Sequence, residues 1–162
     1  MSESNSSIPF EQRKGDGPRS KKGVVPEGVW VLDQERSKKL YPCSHTLWVI
    51  KDDGEELTWV SVETGTDNVH KITSWAGRYD GEPSTVSGSG FVASLRAHGP
   101  DEMETYGEIP DMGSYSERCK VDPSGTSMVC HGRVETKDGV QTRLEVFNLQ
   151  APSPHLPLRQ KS

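Results

Sequence analysis

Apolar and polar residues alternate along most of this chain, in short runs divided by turn residues. A period of two marks a strand with one buried face. The stretch from His70 to Gly88 shows the pattern most fully. Its first half, to Ala76, alternates. Tyr79-Asp80-Gly81-Glu82-Pro83 is then dense turn chemistry, because Asp-Gly admits a positive φ and proline fixes φ at about −65° and cannot donate to a ladder. Ser87-Gly88-Ser89-Gly90 leads into a further apolar run, Phe91 to Leu95. The stretch therefore reads as strand, sharp corner, strand.

Similar runs lie on both sides: Gly28 to Leu32, Ser44 to Lys51, Leu57 to Glu63, Val69 to Ala76, Phe91 to Ala97, Met103 to Glu108, Tyr115 to Val121, Ser127 to Glu135 and Val140 to Leu149. Between them stand turn signals such as Asp52-Asp53-Gly54, Pro123-Ser124-Gly125 and Lys137-Asp138-Gly139. Asp33 to Leu40 is polar and is expected to form one helical turn. Short connections favour an antiparallel meander, and a twisted sheet of this many strands closes to remove its edges. The pattern predicts an all-β protein, a single antiparallel up-and-down barrel of about eight strands, whose interior is packed or holds one small ligand.

Composition sets the boundaries. Residues 1–23 hold few apolar side chains, and residues 151–162 are proline-rich. Neither can bury enough surface to offset its ordering entropy, so both are expected to be flexible tails around a barrel at 24–150. The net charge of −5 is interspersed, and Arg13, Lys14, Arg19, Lys21 and Lys22 fall in the first tail. No nucleic-acid partner is expected, since that needs a basic face. No apolar run approaches the ~18–20 residues that cross a bilayer, and the start lacks a signal-peptide core, so no membrane association and a cytoplasmic location are expected. Monomer and homodimer both stay open.

The chain has three cysteines. A hairpin centred between Ser124 and Gly125 sets Cys119 opposite Cys130, where a bond is geometrically conceivable. In a reducing cytosol two packed thiols are expected.

Trp48, Trp59 and Trp75 fall on three successive predicted strands. Facing inward, they form an aromatic wall for a flat or apolar ligand, the competing reading being ordinary core filling. Alternation separates Met103, Thr105 and Gly107 from Glu104, Tyr106 and Glu108, and Tyr115, Glu117 and Cys119 from Ser116 and Arg118. A carboxylate on an inner face would have a raised pKa and could serve as acid or base. The candidates for such chemistry are Glu117, Tyr115, Tyr106 and His70, the last sharing its side with Ile72, which hints at burial. His131 is expected to face outward. Trp59, Trp75, Trp48, Met103 and Arg118 are the candidate ligand contacts. A solvated strand face is the alternative for each polar residue. No phosphate loop, dinucleotide fingerprint, Cys-x-x-Cys, paired-histidine spacing or Gly-x-Ser-x-Gly elbow occurs, so no metal and no cofactor are expected.

Gly28-x-Trp30-x-Leu32 with Ser37-Lys38, Pro42-x-Ser44-x-Thr46, Tyr79-Asp80-Gly81-x-Pro83 with Val86 and Gly88, and Val121 with Gly125 and Met128 form an ordered set. In that set the chain resembles the lipocalin-like, calycin-type barrels, and more closely a group of small bacterial proteins of that fold, over roughly residues 27–149. The resemblance implies a barrel able to hold a small hydrophobic molecule. It carries over no catalytic residue. Two functions follow as expectations: binding of a small, largely apolar organic molecule, or a cofactor-independent isomerase, cyclase or lyase acting by confinement plus an acid or base.

Overall fold

The structure, a computed structural model, describes residues 23–39 and 42–150. The expected tails, Gly23 apart, lie outside the described residues, as does Leu40. The strands are β1 (Gly28–Leu32), β2 (His45–Asp52), β3 (Glu56–Thr64), β4 (His70–Arg78), β5 (Ser84–Thr85), β6 (Val92–Ala97), β7 (Glu102–Ile109), β8 (Gly113–Val121), β9 (Ser127–Thr136) and β10 (Gly139–Leu149). They form one ten-stranded antiparallel sheet in the order β4-β3-β2-β1-β10-β9-β8-β7-β6-β5. The first strand joins the last, Trp30 opposite Leu149 and Leu32 opposite Phe147.

Among the described residues the strands number ten, not about eight. All nine alternating runs form separate strands, and the two-residue β5 follows the Pro83 corner. The remaining seam, between β4 and the β5 region, is nearly shut. Ser74 and Ser87 exchange backbone hydrogen bonds at 3.1 and 2.8 Å. The Trp75 indole Nε1 donates to Ser84 Oγ at 2.7 Å. Gly88 sits at φ 90°, and a Cβ there would stand 2.5 Å from the Ile72 carbonyl oxygen, so this crossing needs glycine.

Residues 33–39 form no helical turn. The Asp33 carboxylate accepts from Arg36 N at 3.2 Å in a tight turn. Lys38 then bridges to Leu144 through two backbone bonds, and Ser37 Oγ accepts from Val146 N at 2.9 Å. Pairing with β10 overrides the local preference.

The corner at Tyr79 is a clamp. Its hydroxyl donates to Asp52 Oδ2 at 2.6 Å, and the same oxygen accepts from Val25 N at 3.0 Å. The end of β4 is thereby tied to the β2–β3 turn and to the chain entering β1. Burial, then the bond to Asp52, pushes the Tyr79 phenol pKa up.

The core is made by the inward rows. Trp30, Phe147, Ile50, Leu57, Leu95 and Met128 are among its fully buried side chains. Cys119 and Cys130 belong to it too, and they are bonded rather than reduced. Register explains this: the hairpin pairs them directly, with Cα atoms 4.0 Å apart, so the two sulfurs face each other on one side of the sheet. Closing a loop of this size stabilises by about 3 kcal/mol through the unfolded chain. Reduction by a thiol reagent is expected to lower the urea unfolding free energy by about that amount. An unchanged midpoint with three free thiols detected beforehand, rather than Cys43 alone, would overturn the bond. Among the described residues no helix is long and apolar enough to cross a membrane.

Candidate functional site

Residues of β2, β3, β4, β6, β7, β8, β9 and β10 line a partly open cavity of about 210 Å³. One side is apolar: Trp48, Leu57, Trp59, Trp75, Phe91 and Met103. Trp48 stacks on Phe147 with ring centroids 3.8 Å apart and meets the edge of Trp59 at 5.7 Å. Such contacts hold the indoles in place without filling the space beside them.

The opposite side is charged and buried. Glu117 on β8 and Glu145 on β10 are 7 % and 2 % exposed. Arg143 lies between them, its Nη2 2.7 Å from Glu117 Oε2 and its Nε 3.2 Å from Glu145 Oε1. Lys39 reaches in from the segment after β1, with Nζ 3.5 Å from Glu145 and 3.7 Å from Glu63. The same ammonium donates to Thr46 Oγ1 at 3.2 Å. Burial first, and then the Glu117 charge, pushes the Glu145 carboxyl up to about 7, against the opposing pull of Arg143 and Lys39. Tyr115, beside Glu117, is pushed up to about 12 by burial and by that carboxylate. At neutral pH Tyr115 is therefore a hydrogen-bond donor and Glu145 is a carboxylic acid at the point of losing its proton, while Glu117 is held by the Arg143 guanidinium.

Of the residues singled out in the sequence, Trp48, Trp59, Trp75, Met103, Tyr115 and Glu117 share this cavity. His70, Tyr106 and Arg118 do not, and strand parity is the reason. On β4 the row that carries Trp75 inward is Lys71, Thr73, Trp75; His70 and Ile72 take the other row, and Ile72 is 61 % exposed. His70 Nδ1 instead meets Thr64 Oγ1 at 2.9 Å, so its expected burial is corrected. On β7, Met103 and Thr105 point in, which turns Tyr106 out beneath the Arg96 guanidinium, 4.5 Å from the ring centroid. Glu104 joins that outer cluster; burial raises its pKa, but hydrogen bonds from Arg96 and His98 prevail and hold it below the usual carboxylate range. Arg118 is exposed and pairs with Glu102 at 2.7 Å. His131 is exposed, on the outward row of β9.

Sequence reasoning missed Lys39, Glu63, Arg143 and Glu145. Glu145 had a findable signal. The Lys137-Asp138 turn pairs residue 145 with 130, and residues paired across a hairpin share a face. A buried Cys130 thus puts Glu145 inside. Glu63 continues the row of Leu57, Trp59 and Ser61. The carboxylate of Glu117 and the sulfurs of Cys119 and Cys130 lie within 4.8 Å of one another, but the disulfide leaves no thiolate for a metal.

No protein-family model matches the sequence, and no curated protein matches it either. Among solved structures the barrel is similar to the zebrafish ileal bile acid-binding protein, determined in complex with cholic acid. The TM-score is 0.54 at 13 % identity, over 76 % of this chain and 98 % of that one. At that identity the likeness concerns the fold alone: a near-closed antiparallel up-and-down barrel.

Proposed function

We propose that this protein binds one small, largely apolar organic molecule inside the barrel. The observation that carries the reading is a partly open cavity walled by three indoles on one side and by a largely buried charge network on the other. The likeness to a bile acid-binding protein supports it at the level of the fold. The volume of about 210 Å³ lies below the ~300–1,000 Å³ of drug-sized sites, which favours a ligand of one ring or a short chain. We take the ligand to be the partner: the net charge of −5 offers no basic face to nucleic acid. The compartment turns on Cys119–Cys130, a bond that persists in oxidising surroundings and stands as two thiols in a reducing cytosol.

Titration with cyclohexylmethanol, followed by tryptophan emission and calorimetry, is expected to show saturable binding at one site. Trp59→Ala removes part of the wall while leaving the Trp48–Phe147 stack, and is expected to weaken binding at least tenfold, from the ~1.5–3 kcal/mol of a buried apolar contact. A protein that takes up no single-ring probe would sink the reading.

The second reading, a cofactor-independent isomerase, cyclase or lyase, draws support from Glu145, a cavity carboxyl whose proton is exchangeable near neutrality. On that reading Glu145 transfers the proton while Arg143 fixes Glu117. Glu145→Gln would then retain binding and lose turnover.

A further inference from the structure

Three of the four tryptophans are buried: Trp30, Trp48 and Trp75 are 0 %, 5 % and 6 % exposed. An indole N–H donates and cannot accept, and a folded chain normally supplies it with an acceptor when it leaves water. Trp30 Nε1 donates to the Pro26 carbonyl at 3.0 Å, and Trp75 Nε1 to Ser84 Oγ at 2.7 Å. Trp48 Nε1 donates to nothing among the described residues. Trp59, the fourth, is half-buried, so water can meet its N–H.

The orphaned donor is held in place. Trp48 stacks on Phe147 and meets the edge of Trp59, so its ring is not free to swing toward another acceptor. Nor is the nitrogen sealed. The fully enclosed side-chain polar atom left without a partner among the described residues is Ser61 Oγ. Trp48 Nε1 therefore touches open space, and Trp48 lines the cavity. Water entering such a space meets the N–H. A wholly hydrocarbon ligand expels that water and leaves a buried donor unmet, which is the costly outcome. A ligand oxygen that accepts a hydrogen bond avoids the cost.

We propose that the cavity takes an apolar molecule bearing a carbonyl oxygen, a ketone or ester, which accepts from the Trp48 indole N–H while its hydrocarbon packs against Leu57, Trp59 and Trp75. This rests on the apolar-ligand reading and adds the one polar group that the ligand must carry. A carbonyl suits the site better than a hydroxyl, because it accepts without bringing a proton that needs a partner of its own.

The test is nuclear magnetic resonance of the intact, nitrogen-labelled chain, titrated with cyclohexyl methyl ketone and with isopropenylcyclohexane, the hydrocarbon of the same shape. The four tryptophans give four indole N–H resonances, assigned from Trp30→Phe, Trp48→Phe, Trp59→Phe and Trp75→Phe. The ketone is expected to move the Trp48 proton resonance downfield, as a new hydrogen bond does. Those of Trp30 and Trp75, already bonded, should barely move. The hydrocarbon should cause no downfield shift at Trp48. Trp48→Phe is expected to weaken the ketone about tenfold more than the hydrocarbon, the effect of losing one hydrogen bond in a buried site. Ketone binding with the Trp48 resonance unmoved, or moved alike by both probes, overturns the carbonyl assignment and leaves the apolar-ligand reading standing. Uptake of neither probe overturns both.

Discussion

Arg143→Met is expected to lower the stability of the barrel at neutral pH by about 3–5 kcal/mol, the range for removing one partner of a buried ion pair. Arg143 is the group through which Glu117 and Glu145 are both held, at 2.7 and 3.2 Å. Methionine keeps most of the aliphatic volume, so the loss measures the charge. Without the guanidinium, the buried Glu117 and Glu145 side chains lose the ion pair each makes with it. The deficit should shrink toward pH 5, where Glu145, no longer pulled down by Arg143, keeps its proton. Adding Glu117→Gln should recover part of it, because the second change removes the orphaned charge. Arg133→Met is the control: its pair with Glu135 is exposed on both sides, and such pairs contribute under ~1 kcal/mol. Equal effects of the two arginine variants in urea unfolding would mean that the inner network is solvated, not buried.

The fold was largely legible because its punctuation is local. Asp-Gly and Pro-Ser-Gly turns delimit nine runs whose alternation survives in β1–β4 and β6–β10. What escaped was set by pairing. β5 is two residues long and exists because Ser84 and Thr85 pair with Ala93 and Val92 of β6, just before Ser87 meets Ser74 of β4 across the seam, at opposite ends of the sheet order. The turn at 33–36 is chosen by the bridge from Lys38 to Leu144, 106 positions on by subtraction of their numbers. The site divides along the same line. The tryptophans could be placed from their own strands, since a large apolar side chain declares the buried row. Arg143 and Glu145 share a row with Phe147, yet Leu144 and Val146 make the opposite row look equally buried. Only register carried from Cys119 through Cys130 to residue 145 resolves it. His70 shows the converse error: sharing a row with one isoleucine says nothing when a tryptophan occupies the other row.

Between about pH 5 and pH 8 the barrel is expected to lose stability as pH rises, by about 3 kcal/mol at most. The sign follows from Glu145. Its carboxyl holds its proton up to about 7 in the folded chain, against an ordinary value of 4.5. Over that interval the folded state binds more protons than the unfolded one, so raising the pH favours unfolding, at about 1.4 kcal/mol per unit of displacement. The contribution is complete below 4.5 and gone above about 7. Glu104, Asp53 and Asp122 are displaced downward, so their contributions fall away only in stronger acid and do not mask the slope. Glu145→Gln supplies a neutral side chain of the same shape and should flatten the profile, leaving the variant at least as stable as the parent at pH 8. Glu117→Gln acts on the cause instead: it removes the nearby negative charge, so Glu145 should titrate lower and the slope should move toward acid. Urea midpoints at constant ionic strength measure all three profiles. A parent protein that gains stability from pH 5 to pH 8, or a slope untouched by Glu145→Gln, would show that the proton does not reside on this pair.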